Sequence, residues 1–273
     1  VIYFDQVFKI GSSHTVCEDY ALTSQDFAAL ADGCSSGTAS DVVARLQVHL
    51  AAGFNLAKTT PEDPNFGKVY ADYLAEVERL VELLGLTWNQ SFATLTVLTL
   101  SEDRSHFHVL VVGDGSVVAR RKDGGLEGRD FDHAGAPYYL TYQSRFKFAD
   151  RYRLLFPADH TIKRWGKKEG VITSQVQTFP KPVDFHFFTF DRKEYDLVAC
   201  FSDGIDTFFD EDTVSSLVTQ TMVPAQSLID EFLDFKTLNG VFVNRRWQGF
   251  QRKYPNRKHS DDFSMICAVD DGE

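Results

Sequence analysis

Three apolar runs in this 273-residue chain end on the same two residues. Ala28-Ala29-Leu30-Ala31 leads into Asp32-Gly33, Val109-Leu110-Val111-Val112-Gly113 into Asp114-Gly115, and Val198-Ala199-Cys200-Phe201-Ser202 into Asp203-Gly204. Two further acidic pairs adjoin apolar runs: Glu18-Asp19 precedes Tyr20-Ala21-Leu22, and Asp261-Asp262 precedes Phe263–Val269. A single Asp-Gly after a strand is ordinarily a turn, because Asp bonds its own backbone and Gly accepts a positive φ. Five acidic punctuations beside strands point further, to carboxylates gathered at one edge of a sheet. Like charges a few Å apart cannot all stay ionised unless something offsets them. A hard divalent cation is the usual offset, and all-oxygen ligation favours Mg²⁺ or Mn²⁺ over zinc. Glycine after the Asp lets the backbone come close and offers its own carbonyl.

Other catalytic patterns are weak or missing. The chain has no H-E-x-x-H, P-loop or G-x-G-x-x-G, and Gly113-Asp114-Gly115 is too short for a dinucleotide turn. Cys34 stands just before an expected helix, where a thiolate could be stabilised, but no Cys-x5-Arg phosphate loop accompanies it. Among the histidines, His14 lies four residues before Glu18 and His259 two before Asp261, positions from which each could serve the carboxylates. His106, His108 and His186 fall at strand edges and read as structural, while His133 and His160 have no assigned place.

The elements that must position these residues follow from patterning. Short runs read as strands at Tyr20–Leu22, Phe27–Ala31, Phe92–Leu100, Phe107–Val112, Val117–Arg120, Phe185–Phe190, Leu197–Phe201 and Phe263–Val269. Thr38-Ala39-Ser40-Asp41 reads as a capping box opening a helix whose apolar positions are Val42, Val43, Leu46 and Leu50. A second helix is expected over Gly67 to Leu84, with a stripe of Tyr70, Tyr73, Leu74, Val77, Leu80, Val81 and Leu84. Late helices are expected at 211–221, 224–236 and 240–253. Residues 122–182 hold four of the eight prolines and read as an irregular insert in a single domain spanning 1–273. Blocks of strands and helices, rather than strict alternation, indicate an α+β layered fold.

Composition narrows the function. With 43% hydrophobic and 25% charged residues the chain can build a core, which excludes a disordered tail or a disulfide miniprotein. The net charge of −11 argues against nucleic acid, whose phosphates require positive charge. The acidity is uneven: residues 145–170 sum to +5 and residues 241–258 to +6, leaving −22 elsewhere. Both stretches are solvated surface or a draw for an anionic substrate, with Lys167 and Lys168 the candidates for a phosphopeptide. Cys17, Cys34, Cys200 and Cys267 form no C-x-x-C pair, and Cys200 and Cys267 lie in apolar runs. No leader and no run long enough to cross a bilayer is read, so no membrane and a cytoplasmic, reducing setting are expected.

Taken in order, Glu18-Asp19, Ala29-Leu30-Ala31-Asp32-Gly33, Val112-Gly113-Asp114-Gly115-Ser116, Phe201-Ser202-Asp203-Gly204-Ile205-Asp206 and Ser260-Asp261-Asp262-Phe263-Ser264 resemble the motifs of the metal-dependent, protein phosphatase 2C-like serine/threonine phosphatases. The resemblance runs from about Gly11 to Val269. It implies a four-layer α-β-β-α sandwich, two mainly antiparallel sheets between pairs of helices. It also implies that Asp32 bridges two metal ions with Gly33 lending its carbonyl, that Asp203 and Asp261 complete the first site, and that Glu18 holds the second, with Asp19 beside it. Asp114 matches a position that is usually structural, and Asp262 and Cys34 would sit just behind the ligands. Asp132 is the candidate for a third ion.

Two residues depart from the pattern. The family commonly has an Arg where this chain has His14, which can contact phosphate but lacks the bidentate fork. Many eukaryotic members have a His where this chain has Cys34, and together the two mark a divergent, bacterial-type branch. The expectation is a Mn²⁺- or Mg²⁺-dependent phosphatase acting on phosphoserine or phosphothreonine in proteins, opposing a Ser/Thr kinase. The replacements at His14 and Cys34 motivate a rival, a regulatory or binding module with little activity. A hydrolase of small phosphate esters on the same metals is the third reading.

Overall fold

The computed structural model describes residues 1–133, 136–144, 146–156, 160–214 and 217–272. Its strands form where apolar runs are bounded by turn residues. In chain order they are β1 (Ile2–Lys9), β2 (Tyr20–Ser24), β3 (Phe27–Ala31), β4 (Leu95–Leu100), β5 (His106–Val112), β6 (Gly115–Arg121), β7 (Leu126–His133), β8 (His160–Lys168), β9 (Val171–Phe179), β10 (His186–Asp191), β11 (Tyr195–Phe201), β12 (Phe208–Val214), β13 (Leu217–Met222), β14 (Arg257–His259) and β15 (Phe263–Asp270). The helices are α1 (Ser40–Gly53), α2 (Phe66–Leu83), α3 (Leu140–Ser144), α4 (Phe146–Leu155), α5 (Ala225–Leu233) and α6 (Phe242–Lys253).

Two antiparallel sheets carry the fold. One has seven strands in the order β1-β15-β11-β6-β7-β8-β9, the other five in the order β10-β5-β4-β3-β2. Their facing surfaces close a core of Leu30, Leu98, Val109 and Val111 against Val117, Val198, Cys200 and Ile266. Outside the five-stranded sheet, α1 and α2 bury Val43, Val48, Tyr73 and Val77 over Ala29, Leu95 and Leu110. Outside the seven-stranded sheet, α5 and α6 bury Leu228, Phe232, Trp247 and Phe250 over Phe201, Phe263 and Met265. The layers run helix, sheet, sheet, helix, as the resemblance implies. The alternation that makes this possible is visible on β11, where Cys200 faces the sheet interface and Phe201 the helices.

Several elements differ from expectation. Residues 122–182 are not irregular: they supply β7, β8 and β9, which extend the seven-stranded sheet, together with α3 and α4. Their sequence hides this because β9 is exposed along almost its whole length and carries no one-sided apolar pattern. The stretch read as a helix at 211–221 is the hairpin β12–β13, joined by β14 in a small third sheet. The expected capping box at α1 is absent. Ala39 holds a left-handed φ of 77° with no side-chain cap, and Ser40 Oγ donates to Glu18 Oε1 at 2.9 Å instead. The α1 stripe is also shifted: Val43, Ala44, Gln47, Val48 and Ala51 are buried and Val42 is exposed. On α2, Tyr70, Tyr73, Val77 and Val81 are buried as expected, whereas Leu84 is exposed beyond the helix end.

Helix α6 starts without a cap of its own, and β1 provides one. Asp5, buried under the helix, accepts a hydrogen bond from the Val243 N–H at 2.6 Å. This satisfies one of the amide groups that a helix N-terminus leaves unpaired.

Candidate metal centre

The edge where β3, β5 and β11 end gathers the acidic residues. Asp32, the residue after β3, is pinned through its backbone: its carbonyl accepts from Thr94 N–H at 2.8 Å and its N–H donates to Thr94 Oγ1 at 3.1 Å. Gly33 follows in a tight place, for a Cβ there would lie 2.9 Å from the Glu18 carbonyl. Asp114 sits in the turn from β5 to β6, between Gly113 and Gly115, both with positive φ. The turn is held by His133, whose Nε2–H donates to the Gly113 carbonyl at 3.0 Å. Burial, reinforced by the neighbouring His160 and His186 rings, lowers the His133 pKa to about 3, so the ring stays neutral. Asp203 follows β11, and Gly204 after it packs on Asp262, where a Cβ would come within 1.8 Å of that residue's carbonyl.

The result is a cluster in which one carboxylate oxygen each from Asp32, Asp114 and Asp203 lies within 4.8 Å of the others. Burial is the main cause that raises the pKa of all three, and the charges of neighbouring acids add to it. The interaction between Asp32 and Asp203 raises the pKa of Asp32 and lowers that of Asp203, against the burial that raises both. Three hard oxygens held together at an electrostatic cost are the donor set that suits Mg²⁺ or Mn²⁺, and the cluster passes that test of fit.

A second group meets alongside. One ligand atom each of His14, Glu18 and Asp262 lies within 4.8 Å of the others. Asp262 is buried and works as a clamp, accepting from the N–H groups of Gly11 and Glu18, and so shapes the loop before β2. His14 Nδ1 is 3.1 Å from Asp262 Oδ2, and His14 Nε2 is 3.3 Å from Asp261 Oδ1. Burial alone would lower the His14 pKa, but the bond to Asp262 and the charges of Asp262, Asp261 and Glu18 outweigh it and raise it. Asp261 links the groups: it lines one cleft with Asp32, Gly33, Cys34, Asp114 and Asp203.

Asp32 and Asp203 converge. Asp261 shares their cleft, but the third carboxylate in the tight cluster is Asp114, which its turn-like sequence disguised. Asp19 lies behind the site, 1% exposed, with Oδ2 accepting from Ser202 Oγ at 2.8 Å. Burial, then the charges of Asp203 and Asp262, push it up to about 7 against the bond from Ser202. Its Oδ1 has no partner among the described residues. Cys34 Sγ lies 3.0 Å from Ser36 Oγ and packs on an aromatic cluster of Phe92, Tyr138, Tyr139, Tyr142 and Tyr152. His259 is buried and donates from Nδ1 to the Asp261 carbonyl at 2.7 Å, fixing that residue from behind.

Asp132 is outside both groups. It lines an adjoining groove of about 750 Å³ together with Asp114, Asp130, Asp203, Asp206 and Lys163. Sequence reasoning missed Asp206, although its motif contains it, and counted Lys163 in the basic stretch 145–170 without seeing the strand that carries it to the groove. Several cations of the basic stretches are taken up by acids. Lys167 pairs with Asp230 and Lys168 with Asp123, and in the later stretch Arg246 and Lys253 pair with Glu231, Arg257 with Asp210 and Lys258 with Glu211. Arg145 lies outside the described residues.

The chain is similar to known proteins in family and in fold. The family model described as Protein phosphatase 2C matches residues 11–231. No curated protein matches. Among solved structures, the serine/threonine phosphatase Stp1 from Staphylococcus aureus is 15% identical with a TM-score of 0.57, covering 100% of this chain and 96% of that one. PppA, a regulatory component of the type VI secretion system in Pseudomonas aeruginosa, is 18% identical with a TM-score of 0.55, covering 98% and 97%. The catalytic domain of the serine/threonine phosphatase PstP, solved with two manganese ions, is 14% identical with a TM-score of 0.52, covering 98% and 97%. At these identities the structural likeness speaks for the fold.

Proposed function

The chain belongs to the protein phosphatase 2C family, whose members are metal-dependent serine/threonine phosphatases, and on that premise we propose that it hydrolyses phosphoserine and phosphothreonine in proteins with Mn²⁺ or Mg²⁺. The observation that carries the reading is the convergence of Asp32, Asp114 and Asp203 at the ends of three strands. Asp32, Asp203 and Asp261 with the Gly33 carbonyl would hold one ion. Asp32 and Glu18 would hold a second, with Asp19 behind them. Asp114 and Asp203, rather than Asp132, are the pair best placed for a third. Bound there, divalent cations supply the acidity that turns water into a nucleophile and the charge that steadies the phosphoryl oxygens.

The remaining work falls to side chains of this chain. Ser40 and His14 orient Glu18, and Asp262 fixes the loop that carries all three of its own partners. His14, its pKa raised by the surrounding acids, stands where the family commonly has an Arg, and its Nε2–H, now directed at Asp261, would turn to a substrate phosphate. Lys163 is the cation on the adjoining groove and would draw an anionic substrate toward the centre. The groove of about 750 Å³ has room for residues flanking a phosphorylated side chain, which favours a protein substrate over a small ester. Such an enzyme opposes a Ser/Thr kinase. Among the described residues no helix is long and apolar enough to cross a membrane.

The test is hydrolysis of a phosphothreonine peptide and an aryl phosphate with Mn²⁺ and with chelator. Metal-dependent turnover of the peptide that Asp203→Asn abolishes is the expected result. Tight metal binding without turnover of any phosphate ester would leave only the binding-module reading.

A further inference from the structure

Arg129 on β7 and Arg164 on β8 stand directly opposite each other in the antiparallel register, with Gln175 of β9 next in the row. Two like charges in that relation destabilise a sheet unless something lies between them. Neither guanidinium has a carboxylate partner among the described residues, in a chain where most other cations of these strands are paired. Arg129 is held in place: its guanidinium lies over the rings of Phe188 at 4.8 Å and Phe190 at 5.1 Å, on the edge strand of the other sheet. Its Nη1 is buried and makes no hydrogen bond among the described residues. An unsatisfied buried donor on a charged group is costly to keep. The nearest acid on this face, Glu127, is engaged elsewhere, accepting from Arg121 Nε and from the Tyr195 hydroxyl.

These groups border an open cavity of about 520 Å³ that Thr173 and Gln175 also line. Alternation along β7 and β8 puts it on the face opposite Asp130 and Lys163, which border the groove beside the carboxylates. We propose that Arg129 and Arg164 form an oxyanion site, separate from the metal centre, that takes a phosphate group, either free or carried on a peptide. Two guanidinium forks facing one tetrahedral anion turn a repulsive pair into a set of charge-assisted bonds, and Thr173 and Gln175 can complete its hydrogen bonding.

The site is tested by titrating inorganic phosphate calorimetrically into the full chain, both Mn²⁺-loaded and chelator-treated. Chelation should remove any phosphate bound at the metal centre and leave one class of site. Arg164→Gln, an exposed change that should not disturb folding, should weaken that remaining site tenfold or more. Arg129→Lys, which keeps the charge and loses the fork, should weaken it as well. A phosphothreonine peptide titrated in parallel separates the sources: tighter binding than inorganic phosphate, lost in Arg164→Gln, means a peptide-borne group, and equal binding means the free anion. No phosphate binding to the chelator-treated chain at tens of millimolar, or binding that both substitutions leave unchanged, would overturn the proposal. Failure of the phosphatase reading would appear separately, as a titration that chelation does not alter.

Discussion

His14 and Asp261 meet beside the carboxylate cluster, with His14 Nε2 3.3 Å from Asp261 Oδ1. The contact ties the residue standing where the family commonly has an Arg to a carboxylate that borders the same cleft as Asp32 and Asp203. It also accounts for how a His can fill that place, since acids on two sides keep the ring protonated more readily than in water.

Replacing His14 should therefore harm substrate binding first. A hydrogen bond from a charged donor contributes about 1.5–3 kcal/mol, which is roughly tenfold or more in affinity. His14→Ala is expected to raise KM for an aryl phosphate about tenfold while Mn²⁺ binding persists. Steady-state kinetics at saturating Mn²⁺ decides the point, and an unchanged KM would remove His14 from phosphate contact.

Asp114 gives a prediction with opposite signs in two conditions. Without metal, it is one of three converging carboxylates whose repulsion opposes folding. Asp114→Asn should leave the metal-free chain at least as stable as wild type. With Mn²⁺ the order reverses, because an ion at about 100 times its dissociation constant stabilises by about 2.7 kcal/mol and the variant forfeits part of that gain. Thermal unfolding with and without Mn²⁺ shows both. A variant that gains as much from Mn²⁺ as wild type would mean that Asp114 is only a turn residue.

Gly204 tests how closely β11 and the Asp261-Asp262 segment must pack. A Cβ at 1.8 Å from the Asp262 carbonyl cannot be accommodated without moving backbone. Gly204→Ala should destabilise the chain by about 1–3 kcal/mol and lower turnover with it. Urea unfolding alongside kinetics reads both, and unchanged values would mean that the segment shifts freely.

Asp5 lies far from the chemistry and isolates a structural effect. Asp5→Ala removes the bond to the Val243 N–H and should cost about 1 kcal/mol. Burial, the largest influence, raises the Asp5 pKa despite the lowering effect of the Val243 and Gln6 amides and of Arg245. A carboxyl protonated more easily when folded favours the folded state at low pH. That contribution is lost as pH rises from the unfolded value, about 4, through the folded one. Asp5→Asn should therefore flatten this part of the stability profile, measured by urea unfolding between pH 4 and 7. Equal slopes in the two proteins would contradict it.

How much of this was legible follows the burial of each element. β3, β11 and β15 were readable to within about two residues because continuous burial forces an apolar run and the following Asp ends it. β9 was not, since an exposed edge strand has no reason to be apolar on either face. The hairpin β12–β13 was mistaken for a helix because Val214, Leu217 and Val218 fit a helical spacing as well as two strand ends. In the site, Asp32 and Asp203 were visible as strand-end acids. Asp114 was visible too, yet Asp between two glycines is also the commonest turn chemistry, and only the meeting of three strand ends distinguishes the roles. Lys163 and the Arg129–Arg164 pair depend on the register of strands that sequence patterning did not reveal.

The central claim is that Asp32, Asp114 and Asp203 assemble a metal centre that hydrolyses phosphorylated serine and threonine. The most direct measurement is phosphate release from a phosphothreonine peptide by the purified chain, with Mn²⁺, with chelator, and with Asp203→Asn. The account predicts turnover with Mn²⁺, its loss on chelation, its return when Mn²⁺ is restored, and at least a hundredfold loss in the variant. Turnover that survives chelation or the Asp203→Asn substitution would contradict it.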